Sequence, residues 1–113
     1  MTYILIHNPG CGSSKKGLEV LQAAGVEPTV RLYMKDRLSE AELRDIAKAM
    51  GGVSPREFMR EVDAANAGLP IDADDDAVFA AMAKSPKLVQ RPIGWNGAKA
   101  VLGRPNARLL EIV

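Results

Sequence analysis

Residues 2–25 read TYILIHNPGCGSSKKGLEVLQAAG, and they contain a strand pattern, a turn and a helix pattern in that order. Thr2 to Ile6 is a short apolar run rich in residues that favour strands. After Cys11, apolar residues recur at helical spacing, and Gly25 follows them as a glycine does just beyond the end of a helix. The stretch therefore predicts a buried strand that leads through a tight turn into a helix.

A second strand pattern follows at Pro28 to Tyr33. Roughly 20 residues lie between the two strands, which is enough for a parallel β-α-β crossover of the usual right-handed kind. Ser39 to Glu42 then resembles a capping box at the start of a helix that Gly51-Gly52 stops. Ser54-Pro55 places a cap before a proline and predicts a short helix through Phe58, Met59 and Val62.

The next segment, Ala64 to Ala73, is rich in Ala, Gly and Asp and predicts a flexible loop. The aspartates at its end, Asp72 and Asp74 to Asp76, lack the spacing and the glycine of a calcium loop. We interpret them as the cap and first turn of a helix that carries Val78, Phe79 and Met82, and we predict no metal site.

Pro86 ends that helix, and Leu88-Val89 begins an extended segment. Asn96-Gly97 predicts a type I′ hairpin turn, and Arg104-Pro105 opens a last helix with Leu109, Leu110 and Ile112 on its apolar face. The predicted order is β-α-β-α-α-α-β-β-α. This is an α/β, thioredoxin-like architecture, a small mixed sheet flanked by helices, with a helical insertion.

The composition predicts one globular domain, residues 1–113, in which 47% of the residues are hydrophobic. Fifteen basic and fourteen acidic residues leave a formal charge of +1, so we expect no nucleic-acid partner.

The start has no basic region before its apolar run, and no later apolar stretch has membrane-spanning length. We therefore expect no membrane association and a cytoplasmic location.

Cys11 is the only cysteine in the chain, and it lies at the predicted helix N-terminus among glycines, serines and lysines. Unpaired N–H groups and nearby cations there favour the thiolate, and the same place can hold an oxyanion. A buried, inert cysteine is the alternative, and this polar setting argues against it. His7 is either a strand-end residue without a catalytic role or the catalytic base, and in both cases it can act on Cys11 electrostatically.

Two familiar cysteine signatures are absent. A thioredoxin-type C-x-x-C motif would need cysteine where Ser14 stands, and a cysteine phosphatase would need arginine where Gly17 stands. Exchange between two cysteines of the chain is therefore excluded, and an oxidised Cys11 must be resolved by a thiol from another molecule. A multiply charged oxyanion would call for guanidinium groups, and Arg60, Arg91 and Arg104 are the candidates if they converge.

The chain resembles the glutaredoxin-coupled arsenate reductase family along nearly its whole length. The resemblance rests on His7 to Ser14, Glu27 to Thr29, Leu32-Tyr33, Arg91 to Ile93, and Leu102 to Pro105. It implies a thioredoxin-like fold in which a cysteine attacks arsenate, glutathione forms a mixed adduct and glutaredoxin completes reduction to arsenite. Glutathione would be a co-substrate, with no bound cofactor, and the protein is expected to be a monomer.

The resemblance also assigns roles by position. Cys11 would be the nucleophile, with His7 and Ser14 favouring its thiolate form. Arg60, Arg91 and Arg104 would bind the substrate anion, and Pro92 would be the cis-proline that faces the cysteine. The chain departs from the family pattern at Lys15, where many members carry arginine, and at Glu61 to Pro70, a shortened segment that we expect to border the site.

Two other functions remain as alternatives. The sequence Cys11 to Ser14 also resembles the C-G-F-S site of a monothiol glutaredoxin, which would act on mixed glutathione disulfides. The T-V-P segment and later G-G of those proteins are missing from the corresponding region. The third hypothesis is a redox-sensing regulator that binds a protein partner such as RNA polymerase, although such relatives usually carry C-x-x-C.

Overall fold

The four strands of the structure form one sheet. The computed structural model describes residues 2–113, and the strands are β1 (Ile4–His7), β2 (Thr29–Leu32), β3 (Ile93–Trp95) and β4 (Ala100–Leu102). Their order in the sheet is β2-β1-β3-β4. β1 pairs with β2 in parallel, with Ile6 opposite Arg31, and the other two pairings are antiparallel. The parallel crossover and the mixed sheet of the predicted thioredoxin-like fold are thus confirmed.

Four α-helices and three 3₁₀ helices surround this sheet in the described part of the chain. The α-helices are α1 (Gly12–Ala23), α2 (Glu40–Ala49), α3 (Glu61–Asn66) and α4 (Asp75–Lys84), and the 3₁₀ helices are Pro55–Phe58, Pro86–Leu88 and Asn106–Ile112. None of the helices within residues 2–113 is long and apolar enough to cross a membrane.

Alternate residues of β1 face opposite sides of the sheet, and each side has its own core. Leu5 packs on the side of α1, in a buried cluster with Tyr3, Leu21, Val101 and Leu109. Ile6 packs on the other side, in a larger cluster that includes Tyr33, Leu43, Ile46, Phe58 and Met82. The strand β1 is covered on both faces, so its carboxyl end is where a functional group can reach solvent.

The helix boundaries follow the local signals. α1 ends at Ala23, and Gly25 has a φ of +80°, the left-handed conformation that glycine adopts at the C′ position. α2 begins with the predicted capping box, in which Ser39 Oγ accepts from the Glu42 N–H and the Glu42 carboxylate accepts from the Ser39 N–H. Asp74 caps α4 by accepting from the Ala77 N–H at 2.9 Å. This capping role is the one predicted for the aspartate cluster.

The segment between Ser54 and Ala73 differs from the prediction. A single short helix through Val62 was expected, but the 3₁₀ helix stops at Phe58 and Met59 forms an antiparallel bridge with Val89. The next six residues from Glu61 are helical, where part of the flexible loop was predicted, and Val62 is 73% exposed. Pairing with the distant Val89 interrupts the helix, a tertiary contact that no local pattern encodes.

The hairpin between β3 and β4 is present, but its turn is not type I′. A type I′ turn at Asn96-Gly97 needs a positive φ at both residues, whereas within residues 2–113 only glycines have positive φ, and Gly97 is the one in this turn. The Asn96 side chain instead accepts from the N–H groups of Ala98 and Lys99. The side chain of Asn96 thus closes the turn around Gly97.

The last helix, Asn106–Ile112, is 3₁₀ rather than α-helical, and this changes its apolar face. Leu109 is fully buried, whereas Leu110 is 40% exposed. Three residues per turn bring fewer side chains to one face than was expected of an α-helix. Leu88 likewise belongs to the 3₁₀ helix Pro86–Leu88, so the extended segment begins only at Val89.

Candidate active site

Cys11 is the N-cap residue of α1, at the carboxyl end of β1. Its backbone is extended, and its N–H donates to the Asn8 carbonyl at 3.0 Å, which closes the turn that follows His7. The Asn8 side chain accepts from the Gly10 N–H at 3.0 Å and stiffens the same turn. The half-buried thiol is therefore held over the first turn of α1, where backbone N–H groups have no partner within the helix.

The surroundings of Cys11 favour its thiolate form. Burial raises the pKa of the thiol, but the Ser14 N–H, the Arg91 side chain and the Ser13 N–H outweigh burial and bring the pKa below the ordinary value. Lys15 and Lys16, which the sequence suggested as cations for the sulfur, are exposed. The cation that lowers the pKa of Cys11 is Arg91, from the far end of the chain.

His7 and Ser14 form a buried pair behind the thiol. Ser14 Oγ lies 2.8 Å from His7 Nδ1 and accepts from the Asn8 N–H at 3.0 Å. Burial and the charge of Lys15 lower the pKa of His7, and the hydrogen bond to Ser14 only partly opposes them. These effects favour the neutral form of His7. The contact that the structure shows for His7 is with Ser14, in the first turn of α1, and an electrostatic effect of His7 on Cys11 stays a prediction.

Arg91 is the guanidinium beside the sulfur. Its Nε is buried and has no hydrogen-bond partner. A buried N–H without a partner is costly, so this donor is free for an anion that binds next to Cys11. Pro92, which follows through a cis peptide bond as the resemblance implied, accepts from the Gly103 N–H at 2.8 Å. That contact fixes the backbone from which Arg91 extends.

Arg104 and Arg60 lie at the same edge of the molecule. Arg104 is exposed, and its Nε donates to the Arg91 carbonyl at 2.9 Å, which leaves the two terminal nitrogens of its guanidinium free of any protein partner in the described structure. Arg60 precedes α3, rather than lying on a helix as predicted, and its Nε is 2.9 Å from the Asp63 carboxylate. Arg60 and Arg104 line one surface groove of about 340 Å³. The predicted arginines therefore gather around one edge, with Arg91 the nearest to Cys11.

Two residues at the site, Tyr33 and Asn106, were not predicted from the sequence. Tyr33 is fully buried just beyond β2, at the edge of the sheet where β1 leads into the turn to Cys11, and burial raises the pKa of its phenol against the charges of Arg91 and Arg60. Asn106 donates from Nδ2 to the Ser13 carbonyl at 2.9 Å and to the Gly103 carbonyl at 3.0 Å. It ties the first turn of α1 to the turn before Arg104. Nothing in the local sequence of either residue signals these contacts.

The described residues contain no group of three or more His, Cys, Asp or Glu side chains arranged to hold a metal ion. The groups that the site presents are the Cys11 thiol, the guanidinium groups and the N–H groups of α1. This arrangement can hold an oxyanion while a thiolate attacks it.

Comparison with known proteins agrees with this geometry. The ArsC family profile matches residues 6–112. An arsenate reductase of Haemophilus influenzae is 37% identical over the full length of both chains, and the protein YfgD of Escherichia coli is 40% identical over 96% of this chain and 94% of its own. Among solved structures, an arsenate reductase from Vibrio cholerae has a TM-score of 0.87 at 37% identity and covers 100% of this chain and 98% of its own. The chain belongs to the ArsC family.

Proposed function

We propose that this protein is an oxidoreductase that reduces arsenate to arsenite, with Cys11 as its nucleophile. The observation that carries the proposal is the pairing of a thiol whose pKa is lowered with the buried, unpartnered Nε of Arg91. Relatives of similar length named arsenate reductase support the choice of substrate. The three arginines supply the positive charge that a tetrahedral oxyanion requires.

In the first step the Cys11 thiolate attacks arsenic. An arsenic–sulfur bond forms, an arsenic–oxygen bond breaks, and the leaving oxygen takes a proton and departs as water. Arg91 stabilises the negative charge that develops on the arsenate oxygens during the attack. Arg104 has two guanidinium nitrogens free to bind a second arsenate oxygen. Arg60 contributes when it leaves or shares its contact with Asp63.

The electrons must come from other thiols, because Cys11 is the only cysteine in the sequence. Glutathione displaces a second oxygen from arsenic as water. A glutaredoxin thiolate then attacks the glutathione sulfur, a disulfide forms between those two thiols, and the electron pair of the broken arsenic–sulfur bond reduces arsenic from the +5 to the +3 state. Water releases arsenite from Cys11 and regenerates the thiolate. This thiol cycle fits a cytoplasmic location.

The test is a reconstituted reaction. Purified protein is incubated with arsenate, glutathione and glutaredoxin, and arsenite is measured over time; a parallel reaction replaces the glutathione system with thioredoxin and its reductase. We expect arsenite in the glutathione reaction, and Cys11→Ser should abolish it. Arg91→Gln should strongly reduce it, whereas the control Arg108→Gln, which removes an exposed arginine paired with Glu111, should not.

The outcomes separate the alternatives. Arsenite only with thioredoxin would retain arsenate reduction and reject glutaredoxin as the partner. No arsenite with either reductant, together with turnover of a mixed glutathione disulfide, would reject arsenate in favour of the monothiol glutaredoxin activity.

A further inference from the structure

Tyr33 is a buried titratable residue to which the proposed reaction assigns no role. It lies directly after β2, and its side chain is completely inaccessible to solvent. β2 pairs in parallel with β1, and Leu32 lies opposite His7, so Tyr33 follows the same edge of the sheet as the turn to Cys11. A phenol placed there is buried beneath the candidate site.

The polar contacts of the Tyr33 phenol lead to one short segment of the chain. Its hydroxyl donates to the Val89 carbonyl at 3.5 Å, and Val89 is two residues before Arg91. Burial raises the pKa of the phenol, and the charge of Arg91 opposes that rise. The same guanidinium acts on the Cys11 sulfur. Tyr33 and Cys11 are therefore linked through Arg91.

We propose that Tyr33 is a positioning residue that holds the Arg91 guanidinium beside the Cys11 sulfur. The Tyr33 hydroxyl donates to the Val89 carbonyl at 3.5 Å, so the start of the Val89–Arg91 segment is fixed against β2, and the guanidinium extends from a held backbone. The inference deepens the proposed function, since it assigns the residue that keeps the anion-binding cation in place.

The protonation state of Tyr33 suits this role better than acid catalysis. Burial raises the pKa of the phenol, and the opposing effect of Arg91 does not restore it to the ordinary value. Tyr33 therefore stays neutral across the range in which Cys11 ionises. A neutral phenol keeps the proton that it donates to Val89 and does not neutralise the Arg91 guanidinium, whose charge stays available to the thiolate and the substrate.

The test compares Tyr33→Phe with Tyr3→Phe. Tyr3 is the matched control because it is also buried and its hydroxyl also donates to a backbone carbonyl, that of Leu109, at 2.8 Å in the other core. The rate of Cys11 alkylation is measured against pH for each folded variant. Its midpoint reports the thiol pKa directly, whereas the rate at one pH also reflects the higher nucleophilicity of a more basic thiolate.

We expect Tyr33→Phe to raise the midpoint, so that the thiolate fraction at a fixed pH below it falls about threefold to tenfold. Tyr3→Phe should leave the midpoint unchanged. The KM for arsenate should rise in Tyr33→Phe by more than kcat falls, because the cation that binds the anion is displaced. Equal midpoints for Tyr33→Phe, Tyr3→Phe and the unaltered protein would overturn the proposal.

A double variant tests whether Tyr33 acts through Arg91. In an Arg91→Gln background, Tyr33→Phe should produce no further change in the midpoint. A further rise without the guanidinium would overturn the proposed route. Alkylation needs neither arsenate nor glutathione, so its outcome is separate from that of the arsenite assay, and either proposal can fail while the other stands.

Discussion

Gly17 lies in the middle of α1, where a glycine ordinarily weakens a helix, and we predict that Gly17→Ala nevertheless destabilises the protein. A Cβ at this position would lie 2.8 Å from Pro92 Cγ and 2.9 Å from Leu109 Cδ1. Comfortable carbon–carbon contacts are about 3.5–4.0 Å. The new methyl group would therefore overlap two buried side chains on the face that α1 turns toward the site.

The magnitude depends on whether those neighbours can move. Alanine gains about 1 kcal/mol over glycine in a helix interior, whereas overpacking costs about 1–3 kcal/mol. Pro92 cannot withdraw easily, because it is buried and its carbonyl accepts from the Gly103 N–H at 2.8 Å, and Leu109 is fully buried. We therefore expect overpacking to win, with a net loss of up to about 2 kcal/mol.

Urea unfolding measures this loss. The midpoint should fall with an unchanged slope, which identifies a change of stability rather than of the unfolding reaction. Gly12→Ala is the control, since Gly12 lies in the same helix and nothing is within 4 Å of its added Cβ; its stability should not fall. A Gly17→Ala protein as stable as the unaltered one would refute the reasoning, because it would show that Pro92 and Leu109 yield at little cost.

Three further predictions concern the charges and anchors of the site. The pKa of Cys11 is lower in the folded protein than in the unfolded chain, so ionisation of the thiol stabilises the fold. This stabilisation is complete above the unfolded pKa and is lost as the pH falls through the folded pKa. Urea midpoints measured against pH should show this dependence, and Cys11→Ser should remove it. Asn106→Ala should raise the alkylation midpoint of Cys11, since the Ser13 carbonyl loses its anchor, and a midpoint that does not move would reject that role. Asp63→Asn should free Arg60 and lower the KM for arsenate by up to about fivefold, the size expected for the loss of a partly exposed ion pair. A KM equal to that of the unaltered protein would show that Asp63 does not compete with the anion for Arg60.

The parts of the fold that were predictable from sequence are those whose signals are local. Apolar periodicity and Gly25 identified α1 and its end, and Ser39 with Glu42 identified the start of α2. The bridge between Met59 and Val89 was not predictable, because it joins residues 30 positions apart and overrides a helical pattern. The predicted type I′ turn was wrong because the Asn96 side chain, rather than a left-handed backbone at Asn96, closes the turn.

In the candidate site, too, the residues with local signals were predictable and those that depend on distant contacts were not. Cys11 could be found from its place before a helix, and Ser14 is only seven residues from His7. Arg60, Arg91 and Arg104 were candidates because an oxyanion calls for guanidinium groups, and the family resemblance then assigned them to the substrate anion. Tyr33 reads locally as an ordinary buried strand residue, because its partner at Val89 is 56 residues away.

The ionisation of Cys11 depends on the whole fold rather than on the motif alone. Burial opposes the thiolate, and the Ser13 and Ser14 N–H groups that favour it belong to a helix of 12 residues, a length that is marginal in isolation. The remaining favourable group, Arg91, reaches the sulfur only when β3 pairs with β1. The thiol is therefore activated when the distant segments dock, which ties its reactivity to the native structure and leaves the unfolded chain with an ordinary cysteine.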